Sequence, residues 1–289
     1  MAEIANSSSA YDKDPGLCRA SDNPRLPRWA RLPINRCNLP ADILGGLSFQ
    51  RGPCPLVIDG VAELHADLFA ALDPIAAAGD RSRRFEDYMT VHFRLDRPED
   101  MGLTSQAQLD RSRATWLRVL RGWHFDAGGR EAAVLKGWVE SRFGLLPRHH
   151  REALRTPGDA AWLRYEEDRG RGLYGTSALE AQLDLVYAFT QYECARAGLG
   201  SHVTLFRGIN RGDAYERLSD PGTCEIWLMN NVGSYSTCRE RAGEFGDEIL
   251  QVRVPVAKVF CHSGIFPGRL QGEDEYIVIG GLYEVGLAR

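Results

Sequence analysis

The chain has 289 residues, 44% of them hydrophobic, enough to bury a full core as one large domain or two small ones, and we read it as one. Its 35 Lys and Arg against 39 Asp and Glu give a formal charge of −4, so nothing in the composition draws it to nucleic acid or to an anionic membrane. The cysteines (18, 37, 54, 194, 224, 238 and 261) are odd in number and too far apart for C-x-x-C metal or redox spacing, the N-terminus lacks an apolar signal region, and no apolar run approaches about 18 residues, which together imply a cytoplasmic protein with free thiols and no membrane insertion.

Residues 1–60 are rich in Pro, Arg, Ser and Asn, with short apolar pieces such as "ADILGGLSF", and imply an irregular N-terminal arm wrapped on a core formed by a single domain over 61–289. From residue 61 to 78 the apolar positions Val61, Leu64, Leu68, Leu72 and Ile75 fall at helical spacing, and "SQAQLDRSRATWLRVLRGW" and "REAAVLKGWVESRF" continue that pattern. His149 and His150 sit in the hydrophilic "PRHHRE", where neighbouring side chains on a helix diverge, so a surface position is expected for both. "GRGLYG", residues 170–175, matches G-x-G-x-x-G, but the preceding "WLRYEEDR" is too charged for the buried parallel strand a dinucleotide fingerprint requires, leaving a loop before the next helix. That helix, 177–197, opens with Ser177 and Glu180 in capping-box spacing and stops at Gly198.

After it the pattern changes. "SHVTLFRG", "CEIWLMNNVGSYST", "EILQVRVPVAKVF" and "DEYIVIGGLYEVGL" are β-branched and aromatic runs split by Gly, Pro and Asn, and read as strands. A mainly helical 61–198 followed by a strand-rich 199–289 gives the class α+β.

The strand half carries the candidate chemistry, since no G-x-S-x-G elbow offers a serine nucleophile. Arg207 ends an apolar strand and is followed by Gly208, whose bare backbone admits a close ligand. Val232, Ser234 and Ser236 alternate onto one strand face, and a short helix follows over 239–245. Glu273 and Glu275 flank the start of the last strand, where alternation puts residues i and i+2 on one face, roughly 6–7 Å apart. Taken singly, each has an ordinary structural explanation: a solvent-facing arginine, hydroxyls on a half-exposed sheet, solvated acids with Arg269 to pair them.

In this order and on strands, they resemble the R-S-E signature of arginine-directed mono-ADP-ribosyltransferases. The run from "NNVGSYSTCRERAGEF" to "GEDEYIVIGGLYEV", with the helical N-terminal half and the total length, is similar to the dinitrogenase reductase ADP-ribosyltransferase family. That resemblance implies a helical half packed on a core of two antiparallel or mixed sheets, NAD+ as substrate, no metal in the chemistry, dinitrogenase reductase as target and nitrogen-signalling regulatory proteins as further partners. It implies that Glu275 hydrogen-bonds a ribose hydroxyl and stabilises oxocarbenium character, Ser234 holds Glu275, Ser236 and Gly208 border the NAD+, Arg207 faces its phosphates, and Glu273 orients the acceptor guanidinium. The serine motif reads either as Ser234-Tyr235-Ser236 or, shifted by two, as Ser236-Thr237-Cys238. In the loop "CHSGIFPGRLQG" the resemblance places target recognition, with Phe266 either an exposed contact anchor or tucked onto the sheet. Alternatives are an NAD+ glycohydrolase, a toxin-like transferase with another target, and an inactive NAD+-binding module.

Overall fold

The computed structural model describes residues 24–96, 113–174, 176–210, 215–218, 225–270 and 274–287. Residues 24–60 carry two short helices, α1 (Ala41–Leu44) and α2 (Leu47–Arg51), whose Leu44, Leu47 and Phe49 are buried. Gln50 ties this segment to the strands, its amide donating to the carbonyls of Arg253 and Glu284 at 3.1 and 3.2 Å and accepting from Glu284 N at 2.6 Å. The helical spacing over 61–78 is realised as two pieces, α3 (Val61–Leu64) and α4 (Ala66–Leu72). They break at His65, which leaves helical geometry and buries its ring against Tyr88 OH at 2.9 Å.

The larger helices are α5 (Ala78–His92), α6 (Trp116–Phe125), α7 (Arg130–Phe143), α8 (Ala160–Gly172) and α9 (Ala178–Arg196). Trp116, Val119, Leu120 and Trp123 form the buried stripe of α6, and Thr115 caps it by accepting from Arg118 N. Helix α7 is buried on nearly every side, so its charges need internal partners: Arg142 forks onto Asp184 of α9 at 2.7 and 2.9 Å. A second buried fork joins Arg81 of α5 to Glu193 of α9 at 2.6 and 2.7 Å. "WLRYEEDR" is helical, lying within α8, so no strand precedes the glycine-rich sequence; Gly170 and Gly172 finish that helix, and Gly175 lies outside the described residues. Ser177 makes no capping bond to α9; Thr176 Oγ1 instead accepts from Ala178 N at 3.1 Å, because Ser177 itself has helical dihedrals.

The strands are β1 (His149–His150) and β2 (Glu152–Ala153), a small hairpin, and β3 (His202–Ile209), β4 (Glu216–Arg217), β5 (Glu225–Ser236), β6 (Glu248–Pro255), β7 (Val259–His262) and β8 (Glu275–Leu287). The last six form one antiparallel network in the order β4-β5-β3-β6-β8-β7, and β5 also pairs with β8. Hydrogen bonding therefore closes on itself through β5, β3, β6 and β8, so the two sheets expected from the resemblance are one continuous, strongly bent sheet. Inside the bend lie Leu205, Trp227, Tyr235, Leu250, Val252 and Tyr283. The other face of β5 and β8, with Val232, Ile277 and Ile279, shares a core with the helices. The α+β class holds, the helices and the antiparallel strands being segregated along the chain. Among the described residues no helix is long and apolar enough to cross a membrane, and Cys37, Cys54, Cys194, Cys238 and Cys261 are free.

Candidate active site

The register of β5 against β8 builds the site. Ser236 stands opposite Glu275 and Ser234 opposite Ile277, so Ser234, Ser236 and Glu275 share the face that carries Val232, Ile277 and Ile279 deeper in. Where that face stops being apolar, a cavity of about 1160 Å³ opens, lined by Arg207, Ser234, Ser236 and Glu275 from the strands and by Trp123, His124 and Lys136 from α6 and α7.

Ser234 Oγ lies 2.6 Å from Glu275 Oε1, across the diagonal of the pair. Trp123 Nε1 lies 2.9 Å from the same Oγ. An indole N–H only donates, so the serine oxygen accepts from it and turns its own proton to the carboxylate. The other oxygen, Glu275 Oε2, is 2.8 Å from His124 Nδ1. A carboxylate only accepts, so Nδ1 carries the proton in this contact. Both oxygens of Glu275 are thus held, from β5 and from α6. Ser236 acts on the backbone instead, its Oγ accepting from Cys238 N at 3.0 Å and shaping the turn into α10 (Arg239–Gly243). The contact to the strand carboxylate is made by Ser234.

Arg207 lies over the Tyr235 ring, 5.4 Å from its centroid, and donates from Nη1 to the Ser234 carbonyl at 3.3 Å. It reaches across β5 at Gly233, where a Cβ would lie 2.2 Å from Nη1. Its Nε is buried and has no hydrogen-bond partner among the described residues. An unpaired buried guanidinium N–H is costly, and an acceptor bound in the cavity would satisfy it. Gly208 lines the cavity, and its bare backbone is also approached by the end of α10, where a Cβ would overlap the Ala242 carbonyl.

Phe266 is fully buried, packed on Trp116, Phe85 and Phe189 with ring centroids 4.6, 5.5 and 5.8 Å away, so it ties its loop to the helices and is no exposed anchor. Strand β8 begins at Glu275, preceded by Asp274 with a φ of 61°, and Glu273 lies outside the described residues. Arg269 pairs with Glu86 of α5, at 2.6 and 2.9 Å. Of the two histidines expected at the surface, both in the β1–β2 hairpin, His149 is exposed and lines the cavity, whereas His150 is buried between Lys136 Nζ and Asp168 Oδ2, each at 3.2 Å. Burial and the Lys136 charge hold His150 down at about 4, while burial brings Lys136 down to about 7.

Sequence reading missed Trp123, His124 and Lys136. Trp123 and Lys136 sit within amphipathic runs that read as core, and nothing local shows that residues 111 and 151 positions apart meet at Ser234 and Glu275.

No solved structure matches the chain. Residues 34–287 match the family model described as Dinitrogenase reductase ADP-ribosyltransferase. The chain is 38% identical over 256 residues to the NAD(+)--dinitrogen-reductase ADP-D-ribosyltransferase of Rhodospirillum rubrum, covering 87% of this chain and 93% of that protein. The match spans every strand that builds the cavity and the helix α6 that holds Glu275 together with β5, so the chain belongs to the dinitrogenase reductase ADP-ribosyltransferase family.

Proposed function

We propose that this protein transfers ADP-ribose from NAD+ to an arginine side chain of dinitrogenase reductase, inactivating it and so switching off nitrogen fixation. One observation carries the catalytic reading: a glutamate with both oxygens held by donors, Ser234 at 2.6 Å and His124 at 2.8 Å, in the wall of a cavity that also takes Arg207. Breaking the N-glycosidic bond of NAD+ expels neutral nicotinamide and leaves positive character on the ribose, which a fixed carboxylate beside that ribose stabilises. Glu275 has this role. Ser234 and Trp123 prevent it from turning away, since a loosely held acid loses much of its effect. Arg207 meets the NAD+ phosphates with the fork that fits them.

The acceptor guanidine enters from solvent, attacks the anomeric carbon and gives up a proton. A free guanidinium is effectively always protonated and so a poor nucleophile; Glu273 orients it and helps remove that proton. These steps use carboxylates and hydrogen bonds and call for no metal. We place the reaction in the cytoplasm, where NAD+ and a reduced target coexist, with nitrogen-signalling regulatory proteins as further partners; gel filtration with such regulators at varied nucleotide tests the latter.

Incubation with NAD+ labelled in the adenylate part, with and without dinitrogenase reductase, tests the whole reading. Label on that protein is expected. Release of free ADP-ribose alone makes the protein a glycohydrolase, and neither product makes it an inactive binding module.

A further inference from the structure

We propose that Phe125 and Phe245 form the docking contact for the protein that carries the acceptor arginine; the proposal rests on the transferase reading above. Both side chains border the cavity of Glu275, yet they are 92% and 72% exposed. Phe125 immediately follows His124, and Phe245 follows closely on the end of α10, so two separate elements each bring one bare aromatic ring to the same mouth.

The backbones that present them are pinned. Asp126 N donates to the Gly122 carbonyl at 2.9 Å, closing α6 directly behind Phe125. Phe245 N donates to Ala242 O at 3.1 Å, its carbonyl accepts from Asn210 Nδ2 at 3.3 Å, and Gly246 lies against the Ile209 backbone. The rings are therefore held outward by fixed backbone, which lowers the ordering cost of a later contact.

A ligand seated against Glu275 covers little of a ring that is nine-tenths in solvent. Burying it takes a surface arriving from outside, and the reaction supplies one: an arginine side chain is short compared with a folded domain, so the acceptor protein must close over the mouth its guanidinium enters. Exposed aromatics beside a functional opening are the common anchors of such contacts. The opening carries both signs of charge, with Asp126 beside Phe125 and Glu244 beside Phe245 exposed to meet the acceptor arginine and Arg151, Arg155 and Arg241 exposed to meet acids around it, as suits a folded protein surface of mixed charge. The buried Phe266 leaves this work to other rings.

The test compares Phe125→Ser, Phe245→Ser and the double variant with the unsubstituted protein in three assays that share one labelled NAD+: hydrolysis, transfer to a small guanidine such as agmatine, and transfer to dinitrogenase reductase. Expected is a fall in kcat/KM for the protein acceptor of about 5-fold or more in each single variant and larger in the double. Hydrolysis and transfer to agmatine should stay within about twofold. Unchanged transfer to the protein acceptor in the double variant overturns the proposal, and so does an equal fall in all three activities, which would assign the rings to NAD+. An unsubstituted protein that modifies neither acceptor overturns the transferase reading itself. Both positions are exposed, and matching thermal melts confirm that the variants are folded.

Discussion

His124 Nδ1 and Glu275 Oε2 stand 2.8 Å apart, joining a helix of the N-terminal half to the first residue of the last strand. This contact fixes the carboxylate oxygen that Ser234 leaves free. His124→Ala should lower NAD+ hydrolysis and arginine transfer together, by about 10-fold in kcat, with little change in KM for NAD+. His124→Asn, whose amide N–H reaches a similar position, should recover part of the loss. In a Glu275→Gln background the His124→Ala change should add almost nothing. Independent, multiplying effects of the two substitutions would show that His124 does not act through Glu275.

The two acids should separate by reaction. On the proposed mechanism Glu275→Gln removes the charge placed against the ribose, so hydrolysis and transfer are both expected to fall by about 10²–10³-fold. Glu273→Gln leaves that charge in place, so transfer to arginine collapses while slow hydrolysis, whose acceptor is water, survives. Steady-state rates of both reactions on each variant decide the matter; equal losses in the two reactions for both variants would refute the division of roles.

Arg207→Lys keeps a positive charge but loses the planar fork that passes over Gly233. NAD+ binding, followed by calorimetry, should weaken by about 10-fold in a protein whose melt is little changed. Unaltered affinity would remove Arg207 from the phosphate site.

Gly208 tests the packing of α10. In Gly208→Ala the new methyl has a backbone carbonyl, that of Ala242, where it must sit, and Gly246 N at 2.9 Å offers no relief. Overpacking of this kind costs about 1–3 kcal/mol, so a melt lowered by several degrees is expected. A Gly208→Ala protein as stable as its parent would contradict the close approach.

His150 gives a pH dependence of stability. Its folded value lies near 4 against an ordinary 6.5, so between those limits the unfolded chain binds the proton and the folded one does not. Stability from this group is complete above about 6.5 and is lost as pH falls towards 4, by at most roughly 3 kcal/mol. Neighbouring Lys136, Asp168 and Arg151 take part in the same cluster. The difference in melting temperature between the parent and His150→Gln should narrow, or reverse in sign, as pH falls from 7 to 4.5; a constant difference would exclude the titration.

The strands were legible because β-branched runs broken by Gly, Pro and Asn state their period locally, and alternation put Ser234 and Ser236 on one face, while joining them to Glu275 took the resemblance to the R-S-E signature. Helix α7 was legible to its ends for a similar reason. Contacts that depend on closing the chain were not. The fate of Phe266 turns on an aromatic cluster drawn from α5, α6 and α9, and "FPG" alone reads equally well as an exposed turn. Gly208 signalled a close approach, and the end of α10 makes one, but nothing local to Gly208 points to α10. His150 looked solvated because its partners, Lys136 and Asp168, lie 14 and 18 residues away on helices that fold back over it.

The clamp on Glu275 bears on how such an enzyme can be divided or borrowed from. Arg207, Ser234 and Glu275 all lie in the strand-rich third of the chain, yet Trp123 and His124 come from before it. A graft of β3, β5 and β8 onto a foreign sheet would carry the acid without its alignment. The signature is therefore not portable by itself: the smallest unit that keeps the chemistry includes α6 and the helices that seat it.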